Sequence, residues 1–182
     1  QKGNYTHSVD EVVNFASIKI GNCLIFCDKK FRILSYSTSI PVTDVLWKEN
    51  IERGYCTYEF ISNVMSLEAV QSASANIEAI EVSCPESPYR KCSSKVFLNG
   101  VQVGFVLMIE SVTAFTTEHL SAMSDISRAI SFVVGRYHPE LLRYSSADQQ
   151  LLEALLIGTP AELLKDSIAH LHMSDAMYAL CI

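Results

Sequence analysis

Asn99-Gly100, set between two runs of strand-forming residues, constrains this chain more than any other feature. A two-residue type I′ turn needs positive φ at both central positions, and Asn-Gly reaches that conformation at least cost. The pair predicts antiparallel strands over residues 89–98 and 101–111, with Leu98 opposite Val101. Carried along undisturbed, this register sets Val96 against Val103, Ser94 against Phe105, Cys92 against Leu107 and Arg90 against Ile109. Phe97, Lys95 and Ser93 then share the other face with Gln102, Gly104, Val106 and Met108. Because Val101, Val103, Phe105, Leu107 and Ile109 are all apolar, their face is predicted to be the core side.

Upstream, Ser8 with Glu11 forms a capping-box pattern, and Val9, Val12, Val13, Ala16 and Ile20 recur at helical spacing. Gly21-Asn22 ends that helix. Residues 23–27 and 31–36 read as a hairpin joined by Asp28-Lys29-Lys30. Its first strand, Cys-Leu-Ile-Phe-Cys, is apolar on both faces and so needs cover above and below the sheet. Between Pro41 and Ser74 the period turns helical, with Thr43 and Thr57 as N-caps and Gly54 as a stop. A further strand over residues 77–82 makes three in succession before a long helix from about Thr116 to Tyr137. In that helix Leu120, Met123, Ile130, Val134 and Tyr137 form one apolar stripe, and Ile126, Ala129 and Val133 a second. One stripe can cover the sheet while the other meets a second copy of the chain. After Pro139 come two more helix starts, at Ser146 and at Thr159-Pro160, and an apolar run over residues 176–182.

The expected fold class is α+β: a five-stranded antiparallel sheet with flanking helices over residues 1–144, then a helical tail over 145–182. Half of the 182 residues are apolar (49%) and 19% are charged, a folded, water-soluble composition. With 14 basic against 20 acidic residues the net charge is −6, which gives no global reason to approach DNA or anionic lipid. No apolar run approaches the roughly 18 residues of a membrane span, and the N-terminus carries no secretory h-region. Six scattered cysteines without CxxC pairs read as reduced thiols, so neither a metal nor a cofactor is expected. No nucleophile elbow, P-loop, dinucleotide fingerprint or HExxH motif occurs, which argues against an enzyme.

The element order is similar to that of PAS-like or GAF-like sensors. Trp47-Lys-Glu-Asn-Ile-Glu-Arg-Gly-Tyr55, with Thr57-Tyr-Glu-Phe-Ile61 after it, resembles the Trp and Gly-Tyr signature of bacterial PucR/CdaR-type transcriptional regulators. Leu151 to Gly158, Pro160 to His172 and Tyr178 to Ile182 resemble the opening of the GGDEF-like middle domain of such proteins. The resemblance implies a cytoplasmic, homodimeric effector sensor whose helix-turn-helix would lie beyond this chain, as a piece of something longer.

Arg90, Cys92 and Ser94 are the polar members of the predicted core face. A buried Arg90 needs an anionic partner, which a small effector carboxylate would supply by bidentate contact. Trp47, Tyr55 and Tyr58, on the segment that walls a PAS-like cavity, and Phe105 complete the candidate ligand site. Two other readings stay open: a ligand-free dimerisation module with a filled core, and a GAF-type thiol sensor or reductase. For the latter, Cys92 alone has basic neighbours, Lys91 and Arg90.

Overall fold

In the computed structural model, residues 7–73, 75–82, 87–139 and 141 are described. Helix α1 (His7–Ile20) leads into β1 (Cys23–Asp28) and β2 (Ile33–Tyr36). Three short helices follow, α2 (Val45–Arg53), α3 (Tyr58–Ser66) and α4 (Glu68–Gln71). Then come β3 (Ile80–Val82), β4 (Lys91–Leu98), β5 (Val101–Ile109) and the long α5 (Thr117–Tyr137). All pairings are antiparallel, in the order β2-β1-β5-β4-β3, so the expected five-stranded sheet with flanking helices is what forms. No described helix is long and apolar enough to cross a membrane. The tail expected over residues 145–182, and the boundary at 144, lie outside the described residues.

Local chemistry explains most element ends. Asp44, not the expected Thr43, caps α2: its Oδ1 accepts from the Leu46 N–H (3.0 Å) and the Trp47 N–H (3.4 Å). Gly54 closes α2 in the left-handed region at φ 83°, where a side chain is disfavoured. Thr57 caps α3 as expected, its hydroxyl accepting from the Phe60 N–H (3.3 Å). The buried Asn22 ties the loop after β5 to the end of α1. Its Oδ1 accepts from the N–H groups of Ser111, Val112 and Thr113, and its amide donates to the Thr113 carbonyl.

Every residue of β1 is buried, as a strand apolar on both sides requires. Leu24 and Phe26 pair with Met108 and Val106 on the side of α1 and α5. Cys23, Ile25 and Cys27 join Trp47, Leu107 and Ile109 in the cluster beneath α2–α4.

The tight turn at Asn99 (φ 52°) and Gly100 (φ 79°) forms with Leu98 opposite Val101, but the register does not continue as the pattern predicts. Phe97 pairs with Gln102, and then Val96 pairs with Gly104 instead of Val103, so Val103 is an extra residue in β5. From there Ser94 faces Val106 and Cys92 faces Met108, while Lys95 pairs with Phe105 and Ser93 with Leu107. Gly104 is the physical reason. A Cβ built there would stand 2.2 Å from the Cys27 carbonyl oxygen and 2.9 Å from the Phe26 ring. Only glycine lets β5 come this close to β1, and the bulge delivers it to that position.

On the far side α5 packs on β4 through a seam of small residues. The Ser127 hydroxyl donates to Ser94 Oγ (2.8 Å), Ser94 Oγ donates to the Ile77 carbonyl (2.6 Å), and Ser131 donates to the Phe97 carbonyl. A Cβ on Gly135 would meet Leu98 at 2.7 Å.

Candidate functional site

Between the sheet and α2–α4 lies a cavity of about 300 Å³. Its floor is the face of β3, β4 and β5 that carries Ile80, Ser93 and Leu107, and its roof includes Phe60, Leu67 and Val70. The roof follows from helical periodicity. Phe60 and Val64 lie on the inner side of α3, whereas Tyr58, about 200° around the helix from Phe60, points outward and is 83% exposed. No residue of α3 or α4 is fully buried.

Two aromatic pairs wall the space. Trp47 meets Phe60 edge to face at 5.3 Å between centroids, and Phe31 meets Phe105 tilted at 4.8 Å. The hinge of the site is a buried ion pair. Lys91 Nζ sits 2.8 Å from Asp44 Oδ2 and donates to the Ser87 hydroxyl (2.5 Å) and the Tyr89 carbonyl (3.0 Å). Ser87 in turn donates to Asp44 Oδ2 (2.6 Å). Burial raises the Asp44 pKa, but the hydrogen bonds from Lys91 and Ser87 and the charge of Lys91 outweigh it, leaving the carboxyl below its usual range. One carboxylate thus caps α2 and pins that helix, with Trp47, to the start of β4.

Of the residues expected at the site, Trp47 and Phe105 line the cavity. Arg90 does not. Its side chain is 50% exposed beyond the start of β4, donating to both Glu81 carboxylate oxygens (2.7 and 2.8 Å), near Glu110 (3.5 Å) and over the Phe115 ring. The hydrogen bonds to Glu81 and its charge hold the guanidinium pKa above its ordinary value. Cys92 and Ser94 are buried, but against α5, because the bulge exchanges the two faces of β4. Tyr55 is exposed, its backbone bridging Arg32, and Tyr58 is exposed as well.

The residues that take their places are Lys91, Ser93 and Lys95 of β4, with Lys29, Phe31 and Gln102. The signal that points to them is Gly104, since an isolated glycine inside a strand pattern marks a bulge or a close backbone approach. Cys92 is no reactive thiol either. Burial pushes its pKa up to about 12, the Glu81 charge adding to the effect and Arg90 opposing it. Burial likewise raises Cys23 and, with Cys56 beside it, Cys27. Among the described residues no three His, Cys, Asp or Glu side chains gather as metal ligands would.

No protein-family model and no curated protein matches the chain. Several solved structures are similar to it in fold, among them the following three. The cofactor-binding GAF domain of the nutrient sensor CodY from Clostridium difficile is 11% identical, with TM-score 0.48, over 68% of this chain and 82% of that one. The phycocyanobilin-bound GAF domain from a cyanobacterial phytochrome is 8% identical, with TM-score 0.49, over 77% and 89%. The E. coli DhaR(N)–DhaL complex matches at 16% identity and TM-score 0.44, over 86% and 58%. At such values the likenesses carry no functional argument.

Proposed function

We propose that this chain is the sensor module of a cytoplasmic bacterial transcriptional regulator of PucR/CdaR type, and that it binds a small-molecule effector in the cavity between the sheet and α2–α4. The single observation that carries the reading is the cavity itself, apolar in body with a few convergent polar groups, as small-molecule sites are. A ligand-free scaffold would be expected to close its interior around β4 and β5. A thiol sensor would need an exposed, acidified thiol, whereas the cysteines among the described residues, Cys23, Cys27, Cys56 and Cys92, are all buried. The proposed role is binding, without catalysis, cofactor or metal.

Output would pass through a homodimer and a DNA-binding domain beyond this chain. Phe15 (65% exposed) and Ile18 (61%) on α1 and Phe132 (72%) on α5 form an apolar surface suited to a second copy. The region from Trp47 to Tyr55 and the GGDEF-like resemblance of the tail support assignment to that regulator type.

Native mass spectrometry of protein purified from its source cell tests the reading. The expected result is a retained small molecule that Ser93→Trp, which fills the cavity, loses while keeping its circular dichroism. Wild-type protein that holds nothing and whose Trp47 emission ignores a metabolite extract would overturn it.

A further inference from the structure

We infer that α3 and α4 are the gate of the cavity: residues 57–73 lift off the sheet separately from α2, and a filled interior holds them down. The inference rests on the cavity being a ligand site, as proposed above, and concerns how that site is regulated. It starts from where the chain is tied. Lys91, Asp44 and Ser87 pin α2. Beyond α2 the chain is sewn to the segment that opens β2. The Ile33 N–H donates to the Gly54 carbonyl (2.9 Å), and the buried Cys56 donates its N–H to the Phe31 carbonyl (3.0 Å). The chain is tied again at Ile77, whose carbonyl accepts from the hydroxyls of Ser94 (2.6 Å) and Ser124 (3.3 Å).

Between those points the ties are of another kind. Asn63 aside, the hydrogen bonds of residues 57–73 close within that segment: Thr57 accepts from the Phe60 N–H, Ser66 donates to the Asn63 carbonyl (2.7 Å) and Ser72 to the Glu68 carbonyl (2.7 Å). Phe60, Ile61, Leu67 and Val70 pack against the core, and all but Ile61 also line the cavity. A side chain over a void forfeits the dispersion contacts that a packed neighbour would give it. No residue of α3 or α4 is fully buried, whereas α5 buries Met123, Ile126, Ile130 and Val134. Helices of nine and four residues are also too short to persist once lifted. Few buried contacts and locally closed hydrogen bonds give a segment a low opening energy. An occupant restores the missing contacts only while the roof is down, so occupancy shifts the equilibrium toward the closed form. Ordering of α3 and α4 is how the site reports that it is filled.

Hydrogen–deuterium exchange of the full chain, read peptide by peptide by mass spectrometry, tests the gate without a ligand. The protein is first unfolded in urea and refolded, which strips any retained molecule. Ser93→Leu stands in for an occupant, since a larger apolar side chain on the floor fills part of the space beneath the roof. In wild type the amides of residues 57–73 should exchange about a hundredfold or more faster than those of β4 and β5, while residues 45–56 stay protected with the sheet. Ser93→Leu should slow the 57–73 amides about tenfold, the worth of newly buried apolar surface. Ser93→Val, the smaller filler, should slow them by less, and it carries the test if leucine prevents folding. Exchange of 57–73 at the rate of the sheet, residues 45–56 exchanging along with it, or folded fillers that leave its rate unaltered would overturn the gate. If 57–73 opens as expected but native mass spectrometry recovers no small molecule, the gate stands and the sensor reading falls. If a molecule is retained and 57–73 does not open separately, the gate falls and the sensor reading stands.

Discussion

On the side of the sheet under α5, Ser94, Ser127 and Ser131 close their hydrogen bonds against one another and against backbone carbonyls. On the side under α2–α4, Lys91, Ser93 and Lys95 of the same strand stand along a cavity. Both faces are covered, and β4 offers polar or small side chains to each. The difference lies in what covers them. Serine and glycine on α5 let that helix settle onto β4, whereas Trp47, Phe60 and Leu67 prop the short helices away from the floor. A polar residue in a sheet therefore says little about a site until the bulk of the opposing layer is known.

The comparison can be broken most forcefully at the cavity's edge. Asp44→Asn removes one member of the buried pair and should cost about 3–5 kcal/mol in a urea unfolding series, more than any substitution on the closed face. The effect has a pH signature. The Asp44 pKa is lowered by folding, so its contribution is present above the unfolded value near 4 and fades as pH falls through the lower folded value. Wild type and Asp44→Asn should accordingly converge in strong acid. Equal losses at pH 7 and pH 2 would show that the carboxylate's charge is not what matters.

The closed face should resist change in a different way. Gly135→Val drives a side chain into Leu98 and should cost about 1–3 kcal/mol by overpacking, measured in the same series. Ser94→Ala takes from the buried Ser127 hydroxyl its acceptor and leaves the Ile77 carbonyl only the longer bond from Ser124 (3.3 Å), and should cost about 1–3 kcal/mol, while Ser93→Ala on the cavity side should stay within about 0.5 kcal/mol. If Ser93 proved the costlier of the two, the contrast between the faces would be wrong. Smaller still, Arg90→Ala should leave both the Trp47 response to ligand and the mass of retained ligand unchanged, because its guanidinium pairs with Glu81 outside the cavity. At the alkaline end, the Cys92 thiol resists ionisation up to about 12 in the fold but ionises near 8.5 when unfolded. Stability should therefore fall as pH rises above about 8.5, and native Cys92 should react with iodoacetamide only after unfolding.

Much of the fold is legible in the sequence, for reasons that differ between elements. The hairpin turn, the stop at Gly54, the cap at Thr57 and the long helix depend on chemistry within a few residues, and each forms where the pattern sets it. The identity of the inward face of β4 depends on β1. Gly104 must pass the Cys27 carbonyl, a contact between residues far apart in the chain, and although a glycine inside the strand marks a bulge, the continuous apolar run from Phe105 to Ile109 after it does not show which face turns inward. That one step is why the pattern sends Arg90 to the interior and the fold places Lys91 and Lys95 there instead. Similarly, Ser124, Ser127, Ser131 and Gly135 recur at spacings of three and four, but against the apolar stripes beside them such a seam reads as a polar face until β4 is seen beneath it.

The bulge at Val103 gives the strand pair a parity. Since a strand has only two sides, an insertion or deletion of two residues between the turn and Gly104 would lengthen or shorten the hairpin tip and leave every side chain beyond it where it was. A change of one residue would turn the tip over, or, if the tip held, would trade the contents of the cavity for those of the serine seam: Ser93 and Lys95 under α5, Cys92 and Ser94 among the aromatic rings. The loop end of this hairpin can thus vary freely in length only in even steps, and an odd step would rewrite the binding site without touching one of its residues.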